Sequence, residues 1–111
     1  MAEQAFPEPT VGALIFGPDG RLFLMRSRKW HGAYVIPGGH VELGERLEDA
    51  LRREILEETG LKIRDIEFLC VQEFVYDPAF WRKRHFITNW QDTAAFRPQM
   101  PRACPFEGQN A

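Results

Sequence analysis

At 111 residues the chain has room for one domain, with a core just large enough to fold unaided. Apolar residues make up 44% and charged residues 27%, a globular balance that excludes disordered and membrane-embedded classes. A net charge of −2 gives no general polyanion-binding signature, so no nucleic-acid partner is expected. Residues 1–10 read as an N-terminal segment with two prolines and no apolar run, neither a secretory signal nor a transit peptide. No stretch approaches the length of a membrane span, and Cys70 and Cys104 show no CxxC or metal-ligand spacing. These features place the chain in the cytoplasm, with no membrane partner.

Val11 to Phe16 is an apolar run that breaks at Gly17-Pro18-Asp19-Gly20, a strong turn signal. Arg21 to Arg28 then alternates, with Leu22, Leu24, Arg26 and Arg28 on one side, and the two runs together predict a β-hairpin. Arg26 and Arg28 stand where the strand runs out, placed to grip a substrate phosphate through bidentate hydrogen bonds. Trp30, His31, Gly32 and Tyr34 form a loop entering the short strand Val35-Ile36, and Tyr34 is a candidate for stacking on a base. Pro37-Gly38-Gly39 reads as a turn. His31 and His40 are alternative metal or proton-transfer groups, although a lone histidine beside glycines is usually structural.

The densest chemistry lies in residues 39–61. A helix is expected from about Gly44–Arg46 to Thr59-Gly60, with Gly60 as a left-handed C-cap. Within it Glu54, Glu57 and Glu58 fall at i, i+3 and i+4, in the same arc of the helical wheel as Leu47, Ala50 and Leu51. The stripe that should meet the core thus turns acidic halfway along. Three like charges there would cost several kcal/mol unless a cation neutralised them. All-oxygen ligands suit a hard divalent ion, Mg²⁺ or Mn²⁺.

The spacing Gly39, five residues, Glu45, seven residues, Arg53-Glu54-Ile55, one residue, Glu57-Glu58, one residue, Gly60-Leu61 resembles the Nudix box of the Nudix hydrolase family, with every defining position present. The flanking sequence from about Val11 to Phe74 is similar to that family's domain, which bounds the domain at residues 11–90 and leaves 91–111 as an atypical tail. The resemblance implies a mixed-sheet α/β/α sandwich, an α/β fold. It implies hydrolysis of a diphosphate bond in a nucleoside diphosphate linked to another moiety, by water attacking phosphorus. Residue by residue, it implies that the Gly38 carbonyl joins Glu54, Glu57 and Glu58 as a metal ligand. Glu54, oriented by Arg53, would act as base, and Glu57 shares the catalytic assignment. Glu45 would support the loop or the outer metal shell. ADP-ribose, an oxidised nucleotide, a nucleotide sugar and a nucleoside triphosphate all stay open as substrates.

Ile63, Ile66, Phe68 and Cys70 continue as strand through Val75, and Asp77-Pro78 signals a turn. Glu73 and Tyr76 lie where a further acidic or substrate-contacting residue could stand. Trp81-Arg82-Lys83-Arg84-His85 is a basic, aromatic-flanked run leading into a strand at Phe86-Ile87; by itself it reads as a phosphate patch or a solvated loop, not as an RNA site. From Thr88 to Ala111 there is no Val, Ile or Leu, and Pro98, Pro101 and Pro105 interrupt any regular element. Family members usually continue with more strands, a further acidic residue and a closing helix; Glu107 stands in a poor context for that acid. The C-terminal part therefore reads as atypical or truncated, with an exposed sheet edge covered by a second copy in a homodimer. A second reading of the whole chain is a Nudix-like module that binds a nucleotide metabolite without turnover.

Overall fold

The architecture is that of a computed structural model, which describes residues 4–17 and 19–93. In chain order the elements are β1 (Glu8–Leu14), β2 (Met25–Ser27), a 3-10 turn (Arg28–Trp30), β3 (Ala33–Val35), β4 (Gly38–His40), α1 (Leu47–Thr59), β5 (Glu67–Val75) and β6 (His85–Asp92). The main sheet is mixed, in the order β4-β1-β6-β5. β1 runs antiparallel to β4 and parallel to β6, from Glu8 opposite Phe86 to Leu14 opposite Asp92. A separate two-stranded ribbon pairs β2 with β3.

Strand alternation divides β1 between two environments. Val11, Ala13 and Ile15 face α1 and bury against Ala50, Leu51 and Ile55, with Ile63 closing the cluster. Each fully buried Leu or Ile contributes roughly 1.5–3 kcal/mol through removal of apolar surface from water. On the other face the hydroxyls of Thr10 and Thr88 meet at 2.7 Å. Trp30 packs there against Phe74, Phe80 and Phe86, with ring centroids 5.4, 4.8 and 6.5 Å away. Trp30 is thus a packing residue.

The helix starts after Arg46, which is extended, and carries Glu48 and Asp49 in its first turn, where negative charge suits the dipole. It stops at Gly60, whose φ of 75° is the left-handed cap expected and whose N–H donates to the Leu56 carbonyl. No helix of the described residues is long and apolar enough to cross a membrane.

Three expectations need correction. The turn at Gly17 forms, with Gly17 N–H to Arg21 O at 2.7 Å and Phe23 N–H to Ile15 O at 2.8 Å, but the hairpin goes no further. Both edges of β1 are already taken by β4 and β6, so residues 25–27 turn to β3 for a partner. Gly38-Gly39 is not a turn but part of β4. A Cβ at Gly38 would run into the Val11 carbonyl and Gly12 Cα, and one at Gly12 would enter the Trp90 ring. Gly38, Gly12 and Trp90 form one row across three strands, so glycine is needed for close approach. Finally, the strand at Phe86-Ile87 continues through Asp92 although no Val, Ile or Leu follows Ile87; its Thr88, Trp90, Gln91 and Asp92 are buried. The proline-rich stretch 94–111, including Glu107, lies outside the described residues, as do residues 1–3 and Pro18.

Gly38→Ala should lower stability by about 1–3 kcal/mol, because the obstructing atoms are backbone and cannot swing aside. Urea denaturation measures this; a midpoint within error of the unsubstituted protein would contradict the packing described.

Candidate active site

The site is built on the free edge of β4. Ala13 N–H donates to Pro37 O and Val41 N–H to Pro9 O, so residues 37, 39 and 41 bond toward β1. By the alternation of an antiparallel ladder, Gly38 and His40 turn both their N–H and C=O groups outward. α1 meets this edge with its charged side chains. Gly38 N–H donates to Glu58 Oε1 at 3.1 Å, and the His40 carbonyl accepts from Arg53 Nη2 at 3.0 Å. The Gly38 carbonyl belongs to the same outward edge.

Arg53 organises the carboxylates. Its Nε and Nη2 fork onto Glu45 at 2.7 and 2.9 Å, and its Nη1 donates to Glu54 Oε1 at 2.9 Å. Glu57 and Glu42 stand further off, at 3.5 and 3.6 Å from Nη1. The Glu42 N–H also donates to Glu45, at 2.9 Å. The Arg53 hydrogen bonds, then the Glu42 N–H, hold the Glu45 carboxyl down at about 2. The Arg53 guanidinium is raised in turn, first by Glu45 and then by Glu54.

Glu54 is tucked against β4, where a Cβ at Gly39 would collide with its carboxylate. Desolvation pushes the Glu58 carboxyl up, and the negative charge of Glu54 pushes it further; the Gly38 N–H and the charge of Lys29 pull it part of the way back. Glu57 sits at the margin, its side chain 59% exposed. The inward stripe of α1 is therefore Ala50, Leu51 and Ile55, with the glutamates along its border. Among the described residues no three His, Cys, Asp or Glu side chains already converge as a ligand set. Arg53 and the Gly38 N–H hold Glu54 and Glu58 instead. The donors present still suit a hard cation in kind: carboxylates, an outward carbonyl, and one carboxyl crowded by like charge.

Of the residues singled out in the sequence, Gly38, Arg53, Glu54, Glu57 and Glu58 come together. Arg26 donates from Nε to the Gly32 carbonyl at 3.1 Å and holds its guanidinium 5.7 Å over the ring of Tyr34, which is exposed. Arg28 is exposed at the start of the 3-10 turn. Glu73 is not brought to the site: β5 is the opposite edge of the sheet from β4, about 14 Å away at the usual strand spacing. The His40 ring points to Glu8, at 3.0 Å, and to Phe86, so only its carbonyl serves the Arg53 network. His31 is exposed at a φ of 54°, ending the 3-10 turn. Lys29 and Glu42 escaped sequence reasoning. Glu42 lies inside the box as one of its variable positions, and Lys29 reaches Glu58 only through tertiary folding.

Residues 6–110 match the family model of the NUDIX domain. The chain belongs to the Nudix family. It is 33% identical over 109 residues to the m7GpppN-mRNA hydrolase NUDT17 of Xenopus laevis, covering 87% of this chain and 37% of that protein. It is 30% identical over 76 residues to the NAD-capped RNA hydrolase NudC of Shigella flexneri, covering 67% of this chain and 30% of that protein. The chain thus spans about a third of the length of these curated relatives. Among solved structures, a MutT Nudix hydrolase from Burkholderia pseudomallei superposes with a TM-score of 0.72 and 30% identity, covering 93% of this chain and 77% of that one. The box of this Nudix chain therefore sits on the family's fold.

The Glu45 pKa lies below its ordinary value of 4.5, so the Arg53–Glu45 fork stabilises the fold above that pH and its contribution is lost as pH falls toward about 2. The difference in urea midpoint between the unsubstituted protein and Glu45→Gln should accordingly be largest near neutrality and shrink over that acid range. A difference independent of pH would show that the fork is not what holds the two together.

Proposed function

We propose that this domain hydrolyses a diphosphate bond in a nucleoside diphosphate linked to another moiety, using Mg²⁺ or Mn²⁺. The observation that carries the reading is the set of Glu54, Glu57 and Glu58 against the outward edge of β4, with Arg53 holding Glu54 and the Gly38 N–H holding Glu58. The Gly38 carbonyl and these three carboxylates would hold the ion. When bound, such an ion supplies charge neutralisation on the diphosphate and makes the attacking water more acidic. Arg53 engages Glu54 at Oε1, and Oε2 is the oxygen assigned to take the water proton as the water attacks phosphorus. The bond to the departing phosphate oxygen then breaks, giving a nucleoside monophosphate and the phosphorylated remainder. Arg53 keeps its own proton throughout and serves to position Glu54. Glu45 positions Arg53.

NUDT17 and NudC are named for action on m7GpppN-mRNA and NAD-capped RNA, which adds RNA 5′ ends to nucleotide sugars, ADP-ribose and nucleoside triphosphates as candidate substrates. Arg26 and Tyr34, joined by the cation–π contact, and the exposed Arg28 that follows β2 are the proposed substrate contacts on the β2–β3 side. The reading places this activity in the cytoplasm.

The same domain is proposed to form a homodimer. A bulge between Phe68 and Cys70 brings Phe68 and Val71 onto one face of β5, where with Val75 and Ile87 they leave 59, 50, 53 and 37% of their surfaces exposed. Sedimentation velocity should give a dimer that Val71→Lys disperses; a stable monomer at all concentrations would end this part of the proposal.

Glu54→Gln should lower Mg²⁺-dependent kcat by about 10²–10⁴, the usual contribution of a positioned base. Glu57→Gln and Glu58→Gln should raise the Mg²⁺ concentration needed for half-maximal release of nucleoside monophosphate. Full turnover in all three variants would sink the assignment. Binding of nucleotides with no released product in the unsubstituted protein would favour the binding-module reading, which needs no proton-accepting role for Glu54.

A further inference from the structure

Arg53 has five N–H groups, and four of them are committed at short range. Nε donates to Glu45 Oε2 at 2.7 Å, Nη2 donates to Glu45 Oε1 at 2.9 Å and to the His40 carbonyl at 3.0 Å, and Nη1 gives one hydrogen to Glu54 Oε1 at 2.9 Å. The second Nη1 hydrogen has two carboxylates at nearly equal reach, Glu57 Oε2 at 3.5 Å and Glu42 Oε1 at 3.6 Å. Neither closes to the separation of about 2.7–2.9 Å that a settled charge-assisted bond adopts.

The two competing carboxylates are held differently. Glu57 lies one turn along α1 from Arg53 and is assigned above to the cation. Glu42 stands on the loop before α1, where its own N–H donates to Glu45 Oε1 at 2.9 Å and its carbonyl accepts from the Glu45 N–H at 3.0 Å. Gly44, at a φ of 84°, lets that turn close. The backbone of Glu42 is thus pinned to the same Glu45 that Arg53 grips, while its side chain stays 66% exposed and takes no part in the hydrolysis proposed above.

We propose that Glu42 is the exchange partner of Glu57 on Arg53: as Glu57 leaves Nη1 for the divalent cation, Glu42 moves in to accept the freed hydrogen. The proposal rests on the cation site described above. The Arg53 side chain is only 24% exposed, so a guanidinium hydrogen that lost its acceptor would be poorly reached by water, and that cost would weaken ion binding. Glu42 removes the cost by keeping a carboxylate on Nη1 in both states. It is a positioning residue that acts through Arg53, which retains Glu54 on its other Nη1 hydrogen throughout.

Mn²⁺ binding to the full chain, read as free Mn²⁺ by electron paramagnetic resonance, tests this without any substrate. Glu42→Gln should raise the Mn²⁺ Kd about tenfold, the scale of a lost outer-shell partner at a metal site. It should leave the urea midpoint of the metal-free protein unchanged, because an exposed ion pair at 3.6 Å adds almost nothing to stability. Two further variants separate exchange from plain attraction between Glu42 and the cation. Glu42→Asp keeps the charge but draws the carboxylate back by one methylene, so it should lose affinity as Glu42→Gln does; full Mn²⁺ affinity in Glu42→Asp would overturn the proposal. In a Glu57→Gln background no carboxylate leaves Arg53, so adding Glu42→Gln should change Kd by less than about twofold. A tenfold loss there would also overturn it. Mn²⁺ that fails to bind the unsubstituted protein would overturn the exchange and the cation site together. Coupling between Glu42 and Glu57 with no release of nucleoside monophosphate from the nucleoside diphosphate derivatives assayed would leave the exchange standing and remove the hydrolase reading.

Discussion

One guanidinium sets the arrangement of the site. Arg53 has five N–H donors in a rigid plane, and the fold aims them at Glu45, Glu54 and the His40 carbonyl. Without it, the box would place Glu42, Glu45, Glu54, Glu57 and Glu58 near one sheet edge with no fixed cation among them. With it, Glu45 is held ionised far below its ordinary range, and Glu54 has one oxygen fixed against the strand. A lysine at this position would supply charge but no fork, so it would not fix two carboxylates and a carbonyl at once.

The second constraint is the closeness of β4 to β1. Gly38 lies across from Gly12, and Gly12 across from the Trp90 ring, so three strands meet in a row with no room for a methyl group. That contact places the outward groups of β4 where α1 can reach them. Gly39 adds the local condition, since its missing side chain is the space into which Glu54 fits. The packing of the sheet and the chemistry of the site therefore depend on the same glycines.

The box and the helix cap at Gly60 were legible because they rest on local spacing and on a residue type that local geometry demands. The wheel put Glu54 beside the core, but it did not foresee that Glu57 and Glu58 are exposed, since an arc of about 100° spans both buried and wet positions. The role of Gly38-Gly39 as strand was hidden, because glycine after proline signals a turn and the reason for extension lies in another strand. The reach of β6 to Asp92 was hidden for a related reason: Thr88, Trp90 and Gln91 are buried by neighbours and not by hydrophobic pattern. Glu73 looked suitable only while strand order was unknown.

The proposed chemistry requires a divalent cation seated at the outward edge of β4, between Gly38 and the glutamates of α1. Titrating Mn²⁺ into isotopically labelled protein and following paramagnetic broadening of backbone amides tests this most directly. The amides of Gly38, Gly39 and the Glu54–Glu58 turn should broaden first, and Glu58→Gln should shift that broadening to higher Mn²⁺ concentration. Broadening that begins elsewhere, for instance around Glu8, or that leaves Gly38 sharp at saturating Mn²⁺, would contradict it.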